Sequence, residues 1–150
     1  MRHLHRPLVV AALLALAPTI VAAQQSTPAG RVKVVTGSAS IVRAGAAVPA
    51  EPGQPVFEHD TLRTGADGRI GITLKDDTRV SVGPGSEVRL DNFLYAPENG
   101  RLALALQFVR GVAVYVSGQI AKLAPDAVRL DTPAATLGVR GTTLAIRVSE

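Results

Sequence analysis

Apolar and polar residues alternate with period two over most of the chain beyond residue 30. Ile70, Ile72 and Leu74 interleave with Arg69, Gly71 and Thr73. Val80 and Val82 follow Arg79 and Ser81 in the same way, and Val88 and Leu90 alternate with Glu87, Arg89 and Asp91. Leu102, Leu104, Leu106 and Phe108 extend the pattern, then Val112, Val114 and Val116, then Val128 and Leu130, and finally Leu144, Ile146 and Val148. This period predicts strands with one apolar and one polar face. Val112 and Val114 are expected on the core side, with Ala113 and Tyr115 opposite. A one-residue slip would expose every Val and Leu of such a strand, so the turns must hold the register.

Turn chemistry separates the segments at Thr64–Gly68, Lys75–Thr78, Gly83–Ser86 and Glu98–Gly100. The strand starts Arg69, Arg79 and Arg89 lie ten residues apart, one short strand plus one turn. Only Gln119–Ala127 offers a helical stretch, and Pro125 limits it. The expectation is all-β: a single antiparallel sandwich or roll of about ten short strands spanning residues 31–150.

The first 30 residues read differently. Arg2 and Arg6, with His3 and His5, precede an apolar run from Leu8 to Ala17, and Val21-Ala22-Ala23 supplies the small residues that signal peptidases accept. The stretch is shorter than the roughly 20 apolar residues of a spanning helix and contains Pro18. Residues 1–23 are expected to be a signal peptide cleaved between Ala23 and Gln24, and 24–30 a loose, polar N-terminus. The product would be periplasmic or secreted, with no stable transmembrane span.

Composition narrows the classes. The chain of 150 residues is 47% hydrophobic, so it must bury a core, but only 3% aromatic, so the core is aliphatic. With no cysteine, disulfide scaffolds, zinc–thiolate sites and Cys nucleophiles are excluded. The net charge of +4 falls to +2 once Arg2 and Arg6 are removed. The remaining arginines are scattered singly, as expected of solvated strand faces, and give no clustered basic patch for nucleic acid.

Candidate chemistry is sparse. His59 is the only histidine beyond the leader, so a general base rests on His59 held by Asp60, a pair also explained as a strand-entry turn. An envelope hydrolase using this pair is the enzymatic alternative. Asp67, Asp76 and Asp77 lack the spacing of a calcium loop, and turn chemistry explains them, so no metal or cofactor is expected. Phe93 and Tyr95 offer an aromatic platform or, more simply, a cap on the end of the sheet. Gly138-Val139-Arg140-Gly141-Thr142-Thr143 lacks the Gly-Lys-Ser/Thr of a phosphate loop.

Seven blocks in this order resemble the FecR domain family, over about Arg31–Val148. They are Val34-Val35-Thr36-Gly37 with Ala39 and Ile41; His59–Gly65, including Asp60, Thr64 and Gly65; Gly68-Arg69; and Leu74–Thr78, including Asp77. The rest are Val82–Val88 with Pro84 and Ser86; Gly111-Val112; and Asp131–Ala134, with Thr132 and Pro133, leading to Gly138, Arg140, Gly141 and Thr142. Two positions depart from the pattern. The family has Gly where this chain has His59, which is tolerable if φ is negative there, and Asp-Gly-Ser where this chain reads Asp76-Asp77-Thr78, which suggests a different hairpin turn. The resemblance implies a stand-alone exported module acting in signalling or non-catalytic binding, with an envelope protein or polymer as partner. Sigma-factor regulation is not implied, since neither a cytoplasmic region nor a convincing spanning helix accompanies the domain. The resemblance also raises self-cleavage at Gly141-Thr142 by attack of the Thr142 hydroxyl on the Gly141 carbonyl, with Arg140 near the oxyanion; turn geometry alone is the simpler explanation.

Overall fold

The computed structural model describes residues 26–139 and 143–149. The alternating segments form strands in one mostly antiparallel sheet. They are β1 (Gly30–Thr36), β2 (Ala39–Arg43), β3 (Ala46–Pro49), β4 (Pro55–Val56), β5 (Thr61–Thr64) and β6 (Arg69–Leu74). After them come β7 (Arg79–Val82), β8 (Glu87–Ala96), β9 (Arg101–Val116), β10 (Val128–Asp131), β11 (Thr136–Leu137) and β12 (Thr143–Val148). The twelve strands among the described residues agree with the expected number of about ten, although β8 and β9 are longer than the short strands expected.

The long strand β9 organises the sheet. Its first part pairs with β8 on one side and, in parallel, with β10 on the other. Its last part, Gly111–Val116, pairs with β12, and Ala113–Val116 with β7. The sheet therefore curls into two half-sheets sharing one strand: a β8 half (β3-β2-β5-β8-β9-β10-β11) and a β7 half (β4-β1-β6-β7-β9-β12). The inward side chains of both halves form one aliphatic cluster, including Ile41, Ile70, Leu74, Val80, Leu104, Leu106 and Leu130. The parallel β9–β10 pair departs from the all-antiparallel expectation. It needs a crossover, supplied by the short helix α1 (Gln119–Leu123) and one 3-10 turn, Pro125–Ala127.

The inward side of β9 changes along its length. Leu104, Leu106 and Phe108 are buried, and then Ala113 and Tyr115, so the buried positions switch from even to odd numbers. The switch occurs where Glu87 faces Arg110 but Val88 faces Phe108, leaving an extra residue on β9, and where Gly111 has φ of 84°. Val112 and Val114, expected in the core, consequently face outward, and Val114 is 38% exposed. Tyr115, expected outside, is fully buried.

The packed chain begins just before Arg31: Ala29 is buried and donates its N–H to the Val56 carbonyl. Phe93 and Tyr95 are half-buried against the core, as the capping explanation requires. Among the described residues, no helix is long and apolar enough to cross a membrane.

Candidate functional site

His59 and Asp60 do not form a catalytic pair. Asp60 is 1% exposed; its Oδ1 and Oδ2 accept hydrogen bonds from Arg43 Nε (2.8 Å) and Nη2 (2.7 Å), and Oδ2 also accepts the Phe57 N–H (2.8 Å). The Arg43 guanidinium also stacks 4.5 Å above the Phe57 ring centroid, and its bond to Asp60 raises its pKa. The Asp60 carboxylate thus clamps β2 to the turn before β5. His59 points away, with Nε2 at 3.6 Å from Glu58. Its φ is 72°, so the condition under which a non-glycine residue would be unstrained is not met, and it occupies the left-handed conformation that glycine adopts without strain. Asp77 does the same at φ 67°. Both departures from the family pattern therefore place a side chain where the backbone suits glycine.

Six family positions converge on the junction of the half-sheets. Thr64 Oγ1 donates to the Gly83 carbonyl (2.6 Å) and accepts the Ser86 N–H (2.9 Å). Ser86 Oγ donates to the Pro84 carbonyl and accepts the Val112 N–H at 2.8 Å. Gly85 N–H reaches the Gly65 carbonyl, and Gly68 N–H does the same at 3.0 Å. A Cβ on Gly111 would lie 2.1 Å from Ser86 Oγ and 2.7 Å from Ser86 Cα, so only glycine permits this approach. These residues fix the phase switch of β9.

The Lys75–Thr78 turn has a related task. Asp76, fully buried, accepts hydrogen bonds from Thr78 N–H and Oγ1 and, at 3.2 Å, from the Ile120 N–H in the first turn of α1. Its carbonyl accepts the Gln119 N–H. The carboxylate that looked like a spare metal ligand is thus a helix cap supplied from another element. Nearby, burial pushes the Tyr115 phenol above its ordinary pKa. Thr132 forms a local turn through reciprocal bonds with Ala135, beside exposed Pro133, and Gly138 is also exposed and far in sequence from the junction. Ala23, Gln24, Arg140, Gly141 and Thr142 lie outside the described residues. No group of three potential metal ligands occurs among those described.

With these positions committed to structure, the outer faces remain as candidate surfaces. On the β8 half, cross-strand pairing builds a row Val42–Thr61–Arg89–Gln107–Asp131–Thr136 and another, Ser40–Arg63–Glu87–Arg110. The arginines of these rows, and Arg129, each meet an acid: Arg63 and Arg110 lie 3.5 and 3.6 Å from Glu87, and Arg129 lies 2.9 Å from Asp131, whereas exposed Arg101 at the start of β9 forms no ion pair among the described residues. Arg89 pairs with Asp91 and also donates to Gln107 Oε1. The Thr136 hydroxyl and Arg129 hold the Asp131 carboxyl below its ordinary pKa.

The β7 half differs. Its outward rows are Thr36–Arg69–Gly83–Val112–Arg147, then Val34–Gly71–Ser81–Val114–Ala145, then Arg31–Thr73–Arg79–Val116–Thr143. Arg31, Arg69, Arg79 and Arg147 are exposed, and the rows contain no acid. Between them an open groove of about 620 Å³ has Gly71 and Ser81 as its floor, with Val34 on one wall and Val112 and Val114 on the other. Val34 is 59% exposed. Exposed valines gathered along one groove make this face the candidate surface of the molecule. Sequence reasoning assigned Val112 and Val114 to the core; their excess over what one face can bury was the available signal.

A family-model match agrees with the resemblance. The family model described as FecR protein matches residues 60–150, starting at the Asp60 clamp and including the whole junction. No curated protein matches significantly, and neither does any solved structure. Most of the chain, including the residues that turn one sheet into two half-sheets, thus follows the pattern of a signalling and regulatory module of the cell envelope, and the chain belongs to the FecR family.

Proposed function

We propose that this protein is a non-catalytic interaction module of the bacterial envelope, exported by residues 1–23, and that it binds its partner through the outer face of the β7 half-sheet. The observation that carries this reading is the contrast in charge pairing. The arginines of the β8 rows are paired with Glu87, Asp91 and Asp131, which offset most of their charge, whereas the β7 face holds four exposed arginines beside an apolar groove with no acid in the rows. An envelope protein or polymer with apolar and anionic groups would be attracted and oriented by such a face. Nucleic acid fits it poorly, because the rows offer no aromatic side chain on which a base could stack.

The test immobilises the mature chain and compares recovery of a saturable partner from an envelope fraction by three proteins. Unmodified chain and Arg89→Glu should recover it equally, and Arg69→Glu/Arg147→Glu should lose it. Equal recovery by all three would overturn the assignment of the binding face. Intact mass of the exported protein should begin at Gln24; a retained Met1 would contradict export with cleavage.

A further inference from the structure

We infer that the β7-face groove accepts an acidic amphipathic α-helix of a partner protein, a deduction that rests on the reading of this face as the binding face. The width of the groove is the first reason. Val34 on β1 and Val114 on β9 are separated by β6 and β7, three inter-strand steps of about 4.8 Å, or about 14 Å from wall to wall. A helix with its side chains is about 10–12 Å across. The glycine and serine floor lets it settle between the valines.

Backbone chemistry is the second reason. The strands beneath the groove, β6 and β7, are paired on both sides within the sheet. An extended peptide laid on this face would find no ladder to join, and its own N–H and C=O groups would lose water without replacement. A helix satisfies these groups internally.

Charge identifies the polar flanks of the ligand. Arg69 and Arg147 stand on one side of the Gly71–Ser81 row, and Arg31 and Arg79 on the other. The two flanking rows are four residues apart along the strands, about 13 Å. Glutamates about two helical turns apart, flanking an apolar stripe, would meet both rows. The six residues of β6 extend about 20 Å, which corresponds to a helix of about 13 residues. A second copy of this chain does not present such an element in its described residues: α1 has five residues, one cation and no acid.

The experiment titrates the mature chain into a fluorescent synthetic helical peptide of about 14 residues, with leucines on one stripe and glutamates flanking it. A second peptide carries lysine at each glutamate position, and phosphatidylglycerol vesicles form a third arm. Thermal melting confirms that each protein variant is folded. The glutamate peptide should bind saturably and more weakly at high salt, and the lysine peptide should not bind. Arg69→Glu/Arg147→Glu should weaken binding at least tenfold, Val114→Glu should also weaken it, and Arg89→Ala should leave it unchanged. Failure of the glutamate peptide to bind, or binding that the groove variants do not change, would overturn the inference. Vesicle binding lost in the groove variants, with no peptide binding, would also overturn it, but would leave the binding face itself supported. Failure of the face is read separately, from the envelope recovery described above.

Discussion

The two outer faces of the sheet are built from the same residue types and do opposite things with them. On the β8 face, Arg63 and Arg110 share Glu87, and Arg129 lies beside Asp131. On the β7 face, Arg69, Arg79 and Arg147 have only Thr, Gly and Val as row neighbours. Exposed ion pairs contribute little to stability, so the pairing on the β8 face matters mainly because Glu87, Asp91 and Asp131 offset most of the charge of Arg63, Arg89, Arg110 and Arg129 and weaken the field there. The β7 face keeps its field and adds an apolar groove. The difference arises at the bend of β9, which turns Val112 and Val114 outward on one half only.

Exchanging a carboxylate between the two sides of β9 should have the largest effect. Ala113→Asp buries an unpaired charge and should destabilise by about 4 kcal/mol in denaturant titration, whereas Val114→Asp should cost less than about 1 kcal/mol. Equal costs would mean that the faces are not distinct. Next is Gly111→Ala, which strains a backbone at φ 84° and drives a methyl group into Ser86. A loss of about 3 kcal/mol is expected; a neutral result would show that the phase switch does not depend on glycine.

Charge pairing can be sharpened by altering the other face. Glu87→Gln releases Arg63 and Arg110, so the stability change should stay below about 1 kcal/mol, while the β8 face gains affinity for cation-exchange-excluded, acidic probes. An unchanged affinity would indicate that pairing does not control the field. The smallest effect concerns pH. The Asp131 pKa is lowered in the folded chain, so its contribution is fully present above the ordinary carboxylate range and is lost as pH falls through the lowered value. Carboxyl NMR titration should place the Asp131 midpoint below 3.8, and Thr136→Ala should move it upward. No movement would remove the Thr136 hydroxyl as the main cause.

The all-β class and several strand faces were legible in the sequence, but the contrast between the two outer faces was not. Period-two alternation identified the strands and the inward faces of β6, β7 and β8, because Ile70, Val80 and Val88 had polar neighbours on both sides. The alternation failed at β9, where Val109, Val112, Val114 and Val116 surround Ala113 and Tyr115, so both faces read as apolar. Arg110-Gly111 held the one local hint of a bulge. The parallel pairing of β10 was hidden because strand direction leaves no trace in a four-residue alternation. His59 and Asp60 show a different limit: adjacency offered a strand-entry turn or a relay, and only the fold reveals that Arg43, remote in sequence, holds the carboxylate. The arginines were correctly placed on outer faces, but which of them have acidic neighbours depends on cross-strand register, which only the fold supplies.

On the proposed reading, one outer face meets a partner and the other does not. A photo-activatable crosslinker placed in separate variants at Ser81, on the floor of the groove, and at Arg129, on the opposite face, tests it inside an intact envelope. A discrete crosslinked product is expected from Ser81 that disappears when Arg69→Glu/Arg147→Glu is added, and none from Arg129. The same product from both positions, or from Arg129 alone, would contradict it.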